Sequence, residues 1–228
     1  MAEAVRVPQT ADRRQGAGRH FSEYGRGGRV DNLSLFTFNE VRSAYREWQG
    51  VDREILAKSA DQVLKEERRS FEEREYDVFL SHSSLDAKDV LGLCRVLRRE
   101  FGLTVYLDLD DEQLDSDEVT PDTARVLRQR MKYSRVLFYA SSVNASASKW
   151  MPWELGYFDG LKGAVAVVPV GDDPSESYEG QEYLGLYPYI DRAPNNKTGA
   201  ETLWVNGLST TRGYMDFNKW LSTIEAER

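Results

Sequence analysis

From Tyr76 onward the chain alternates short apolar runs with stretches in which apolar residues recur every three or four positions, the signatures of strand and amphipathic helix. Val78 to Leu80 reads as a strand, and Val90, Leu93, Cys94, Leu97 and Phe101 form a helical stripe closed by Gly102. A second strand follows from Leu103 to Leu107. Thr120-Pro121 then opens a helix with Ala124, Leu127 and Met131 inward, and Val136 to Ala140 is a third strand. After another helix the run Ala164 to Val170 is a fourth strand, almost wholly apolar. Apolar strands joined by amphipathic helices predict an α/β fold with a parallel sheet covered on both faces. Ligands in such sheets sit beyond the carboxyl ends of the strands.

The flanks of this region are less regular. From about Phe38 to Glu75 the pattern is helical, with Val41, Ala44, Tyr45 and Trp48 on one stripe and Leu56, Ala60, Val63 and Leu64 on another, parted near Gly50. Residues 1–30 hold six Arg, three acids and five Gly with little apolar periodicity, so a disordered basic tail is expected there. Residues 171–200, with scattered Gly, Pro, Asp and Asn and the tyrosines Tyr183, Tyr187 and Tyr189, read as a long excursion. Thr202 to Val205 is expected as a final edge strand, and Met215, Phe217, Trp220, Leu221 and Ile224 as a terminal helix docked on the sheet. The division is therefore a tail (1–30), a helical segment (31–75) and the α/β domain (76–228).

Between the third and fourth strands lies the most informative segment, SKWMPWELGYFDG from Ser148 to Gly160. Ser148 is a good N-cap, and Pro152 is tolerated in a helix only within the first turn. The helix start therefore falls near Ser148 and leaves Glu154 where the positive end of the helix dipole favours a carboxylate. Trp150 and Glu154 share a face at spacing i, i+4, while Trp153 and Tyr157 form an adjoining pair. An acid so flanked is a catalytic candidate, or a surface acid beside core aromatics.

Composition narrows the class. A net charge of -8 argues against non-specific nucleic-acid binding. One cysteine (Cys94) and two histidines (His20, His82) exclude a disulfide framework and a multi-Cys/His zinc site. No apolar run reaches the length of a membrane span and no signal peptide is evident, so a cytoplasmic protein is expected. From Asp108 to Glu118 seven of eleven residues are acids, but Gln113 and Val119 stand where a calcium loop needs Gly and Glu.

In order along the chain, YDVFLSHSS (Tyr76–Ser84), the acidic loop after VYLDLD, LFYASS (Leu137–Ser142) and SKWMPWE resemble the Toll/interleukin-1 receptor (TIR) domains of bacteria, from Tyr76 to about Val170. The resemblance implies a flavodoxin-like open parallel sheet and cleavage of NAD+ as substrate, with no cofactor and no metal. It places the catalytic glutamate of enzymatic TIR domains on Glu154, and it makes the acidic loop, including Asp108, a lid or contact surface over the ligand. Animal members carry basic residues where this chain has Ser83 and Ser84, so no arginine contact to phosphate carries over there. The resemblance also implies ADP-ribose or cyclic ADP-ribose as the product, a homo-oligomer when active, and a role in antiphage defence, either by depleting NAD+ or by making a signal nucleotide for a separate effector.

The chemistry fits one carboxylate. Breaking the nicotinamide–ribose bond expels a neutral amine from a pyridinium, so no general acid is needed, and a carboxylate suffices to stabilise or capture the oxocarbenium-like ribose. Trp150, with Trp153 beside it, offers an indole face to the cationic ring. Ser81, Ser83, Ser84, Ser141 and Ser142 supply short hydroxyls for ribose and phosphate. His82 is either a further contact or a strand-end histidine satisfied by backbone. A non-catalytic TIR scaffold and a nucleoside deoxyribosyltransferase-like enzyme, which would use a glutamate on a similar sheet, are the alternatives.

Overall fold

The computed structural model describes residues 34–51, 58–60, 62–63, 74–107, 120–175, 178, 182–208 and 213–227. The basic tail, Leu56 and Leu64 of the second helical stripe, and the acidic loop with Asp108 lie outside the described residues, while Ala60 and Val63 of that stripe are buried. The strands are β1 (Phe36–Thr37), β2 (Tyr76–Ser81), β3 (Val105–Leu107), β4 (Ser134–Ser141), β5 (Val165–Gly171), β6 (Tyr189–Pro194), β7 (Glu201–Leu208) and β8 (Gly213–Asp216). The helices are α1 (Phe38–Val51), α2 (Ala87–Glu100), α3 (Pro121–Lys132), α4 (Met151–Lys162) and α5 (Phe217–Ala226).

The strands form one sheet in the order β3-β2-β4-β5-β6-β7-β8, parallel from β3 to β6 and antiparallel from there on. Its first five members follow the flavodoxin-like pattern in which the first strand of the series lies second in the sheet. β4 and β5 are buried along nearly their whole length, as expected of central parallel strands covered on both faces. Two neighbouring residues of β4 locate those covers. Phe138 meets Phe217 of α5 at 5.4 Å between ring centres, whereas Tyr139, on the opposite face, lies on the side of α4.

Local sequence explains most helix ends. Thr120 accepts the Thr123 N–H at 3.2 Å, and Pro121 occupies the first turn of α3. Asp216 caps α5 by accepting the Lys219 N–H at 3.1 Å. After α2 the chain turns through Gly102 at φ +67°, a left-handed conformation glycine adopts without a steric cost.

Three sequence expectations are corrected. The excursion 171–200 contains β6, whose YIDRAP pattern has only Ile190 and Ala193 as buried apolar residues and carries buried Asp191, so no hydrophobic run announces it. β7 is interior rather than an edge, because β8 pairs along its outer side and places Met215 in a strand. Finally, β1 joins the parallel ladder through Phe36–Val170 and Thr37–Gly171, a pairing too short to leave a periodic signal.

α1 lies on α2, burying Val41 and Tyr45. Arg42 grips Asp89 with two hydrogen bonds, 2.6 and 2.9 Å, and Arg95 lies 5.6 Å over the Trp48 ring. At the other side Arg192 pairs with Glu40 and covers the Phe36 ring at 5.1 Å. The start of the described chain is thus attached to both α2 and β6.

Candidate active site

β2 and β4 run parallel in a register that sets Ser81 beside Tyr139, so both side chains emerge on one face at the carboxyl end of the sheet. α4 crosses that face. Its start is set by Ser148, whose hydroxyl accepts the Met151 N–H at 3.2 Å, and by Pro152 in the first turn. The Glu154 N–H closes the first turn on the Trp150 carbonyl at 2.9 Å. The helix thus begins at Met151, later than the start expected near Ser148: Trp150 holds the N-cap position without a side-chain bond, Ser148 reaches the first helical N–H from the preceding turn, and Glu154 falls in the first turn.

This placement lowers the Glu154 carboxyl onto the strand ends, where it is 3% exposed. Ser81, fully buried, donates to Glu154 Oε2 at 2.6 Å. A buried acid without donors would carry a large desolvation cost; a short hydrogen bond to a charged acceptor offsets part of it, about 1.5–3 kcal/mol. Tyr139 completes the group. Burial pushes its phenol above the usual range, and a hydrogen bond shared with Tyr183 and the nearby Glu154 carboxylate push it the same way. Tyr139 was not among the sequence candidates; the available signal was the one tyrosine of its strand, next to Phe138 and two residues before Ser141.

The other candidates fall into distinct places. His82 is buried and its Nδ1–H donates to the Leu80 carbonyl at 2.7 Å, so the ring is oriented by its own strand. Ser83 accepts the Leu85 N–H at 3.3 Å and caps the 3-10 turn Ser84–Asp86, while Ser84 itself is exposed. Ser141 is half-buried at the end of β4, and the Ser142 hydroxyl donates to Asp86 at 2.5 Å. Trp150 meets Trp153 edge-on at 5.5 Å. Trp153 is turned toward α3: Tyr157 stacks on it at 5.6 Å and Arg128 lies over both rings. The structure therefore joins Ser81 to Glu154 directly, and sets Ser83 and Ser142 on the adjoining loops.

The segment after β5 is seated on the same region. Tyr183 reaches Tyr139, and Tyr187 donates to Asp159 of α4 at 3.1 Å, with burial and the Asp159 charge pushing the Tyr187 phenol up to about 12. Among the described residues no group of three His, Cys, Asp or Glu side chains is arranged to hold a metal ion. No helix among them is long and apolar enough to cross a membrane.

No protein-family model matches the chain. It is 40% identical over 193 residues, 83% of its length, to a protein of Bacillus cereus (strain MSX-D12) provisionally named 3' cyclic ADP-D-ribose synthase ThsB', of which it covers 98%. A more distant relative from Cytobacillus dafuensis, provisionally named cyclic ADP-D-ribose synthase TIR2, is 24% identical over 166 residues, 67% of this chain and 43% of that protein.

Proposed function

The chain belongs to the family of the Bacillus cereus protein ThsB', and we propose that it cleaves the nicotinamide–ribose bond of NAD+ and closes the ADP-ribose so released into a cyclic product. The observation that carries this reading is the buried Glu154 carboxylate held by Ser81 at the carboxyl end of the sheet. The names of both relatives, each a cyclic ADP-D-ribose synthase, support it.

The step balances with one carboxylate. The C–N bond between the ribose anomeric carbon and nicotinamide breaks, and nicotinamide leaves as a neutral molecule with the bonding electron pair. Glu154 lies against the cationic carbon, stabilising it by charge or capturing it covalently. A hydroxyl of the adenosine ribose then forms the new bond to that carbon and releases its proton, giving the cyclic product, nicotinamide and one proton. Water in place of that hydroxyl gives linear ADP-ribose. The relatives' names support the cyclic product, and the tether that holds the adenosine ribose to the cationic carbon favours its hydroxyl over free water as nucleophile.

Ser81 acts by holding the carboxylate in place, so that no reorganisation is needed as charge develops. Trp150, one turn before Glu154, supplies an aromatic surface for the departing ring. The cyclic nucleotide is then a signal for a separate effector in antiphage defence, made by a homo-oligomer, as the resemblance to bacterial TIR domains implies.

The test is mass-resolved chromatography of NAD+ incubated with concentrated wild-type protein and with Glu154→Gln. Wild type is expected to release nicotinamide together with a product lighter than ADP-ribose by one water, and the variant neither. Equal release by both proteins refutes the assignment of Glu154, and linear ADP-ribose as the sole product refutes cyclisation.

A further inference from the structure

Among the buried carboxylates of the described residues the proposed chemistry uses only Glu154. Another is Asp86, 7% exposed, at the end of the 3-10 turn that follows β2. Its two oxygens reach different residues of the loop after β4. Ser142 Oγ donates to Oδ2 at 2.5 Å, and Asn144 Nδ2 donates to Oδ1 at 2.6 Å.

Both ends of this link are themselves fixed. The Asp86 N–H donates to the Ser83 carbonyl at 3.0 Å, while the Ser142 hydroxyl and carbonyl accept the N–H groups of Asn144 and Ala145, each at 3.2 Å. Apolar packing anchors each loop on one side of the link only: Ala87 and Ala145 are buried in the core, whereas Leu85 and Val143, the other neighbours of the link, stay 70% and 81% exposed. The Asp86 hydrogen bonds tie the two loops directly to each other, and a charged acceptor makes them strong. One loop leaves β2 just after Ser81, which holds Glu154; the other leaves β4 two residues after Tyr139.

We propose that Asp86 is a positioning residue, locking the loops after β2 and β4 at the spacing that seats the dinucleotide over Glu154. The proposal rests on the reading of Glu154 as the carboxylate that cleaves NAD+. Asp86 does not touch the reacting atoms. Its loss should therefore weaken substrate binding and leave the chemical step of bound substrate largely intact.

The experiment uses Asp86→Asn and, as the milder variant, Asn144→Ala in the full chain, with two readouts. Without substrate, amide hydrogen exchange in residues 83–86 and 142–145 should quicken in both loops together for either variant, because the link is shared. With NAD+, KM should rise about tenfold while kcat changes little, the loss expected from one charge-assisted hydrogen bond. A purely structural role would lower the fraction of active molecules, so kcat would fall and KM would stay at the wild-type value. That result, or exchange that quickens in one loop alone, overturns the proposal. Glu154→Gln in the same assay separates the two claims: if it turns over NAD+ like wild type, the chemical reading falls, while the exchange data still decide the link between the loops.

Discussion

Replacing Gly92 by alanine should undo the contact between α1 and α2. Gly92 sits in the middle of α2, and a β-carbon placed there would lie 1.8 Å from the Val41 carbonyl oxygen, 2.4 Å from its carbonyl carbon and 3.0 Å from its Cα. These are backbone atoms of α1, so no side-chain rotation relieves the clash, and α1 must withdraw by roughly 1 Å or more, a gap that forfeits a quarter to a half of the dispersion attraction across it. Val41 and Tyr45, 0% and 3% exposed, are the side chains most affected. Full exposure of either would cost about 1.5–3 kcal/mol, and overpacking of this kind costs about 1–3 kcal/mol, against a gain of about 1 kcal/mol from replacing glycine with alanine inside a helix. The expected net loss is about 2 kcal/mol. Gly160→Ala is the matched control, since that exposed position in α4 has no atom within 4 Å of the added carbon, and there the same change should stabilise by about 0.5–1 kcal/mol. Urea unfolding followed by circular dichroism should therefore move the midpoint down for Gly92→Ala and up for Gly160→Ala. Midpoints that move in the same direction would refute the close approach of the two helices.

Two further outcomes follow from individual side chains. Burial pushes the Asp77 carboxyl up, but the Thr104 N–H and hydroxyl and the Arg135 guanidinium outweigh it and hold the group below the usual range. Its folded-state pKa being depressed, its contribution is present above the unfolded carboxylate value, about 3.9, and is lost as pH falls through that value and below; Asp77→Asn should flatten the acid limb of urea midpoints against pH, and parallel curves would count against the bonding. Ser81→Ala should lower kcat on NAD+ by about 10–100-fold, the loss of one charge-assisted donor to the buried carboxylate, and an unchanged kcat would show that this bond does not hold Glu154 for the reaction.

The parts of the fold legible in the sequence are those set by neighbours in the chain. Thr120-Pro121 and Ser148 with Pro152 place helix starts through hydrogen bonds and φ restrictions that span three or four residues. The continuous apolar runs of β4 and β5 follow from burial on both faces. β6 escapes the same logic because its backbone partners come from β5 and β7, so a strand forms around a buried aspartate, Asp191, that local propensity would put in a turn. β1 is a strand only because the end of β5 offers it a free edge.

The site divides along the same line. Glu154 was legible because its helix, its cap and its flanking tryptophans are contiguous. What completes the candidate site is not, since Ser81 lies 73 residues away and reaches the carboxylate only through the parallel register that sets it beside Tyr139. A one-residue slip of β2 against β4 would turn Ser81 to the opposite face, toward α5, and leave a buried carboxylate without this donor. Side-chain shape opposes that slip, since the apolar run itself suits either face: Phe79 and Leu137 are register partners on the Ser81 face, and Leu80 and Phe138 on the other, all fully buried in a close-packed core. Core packing therefore sets the geometry of the polar site, although neither strand carries a local mark of the chemistry at its end.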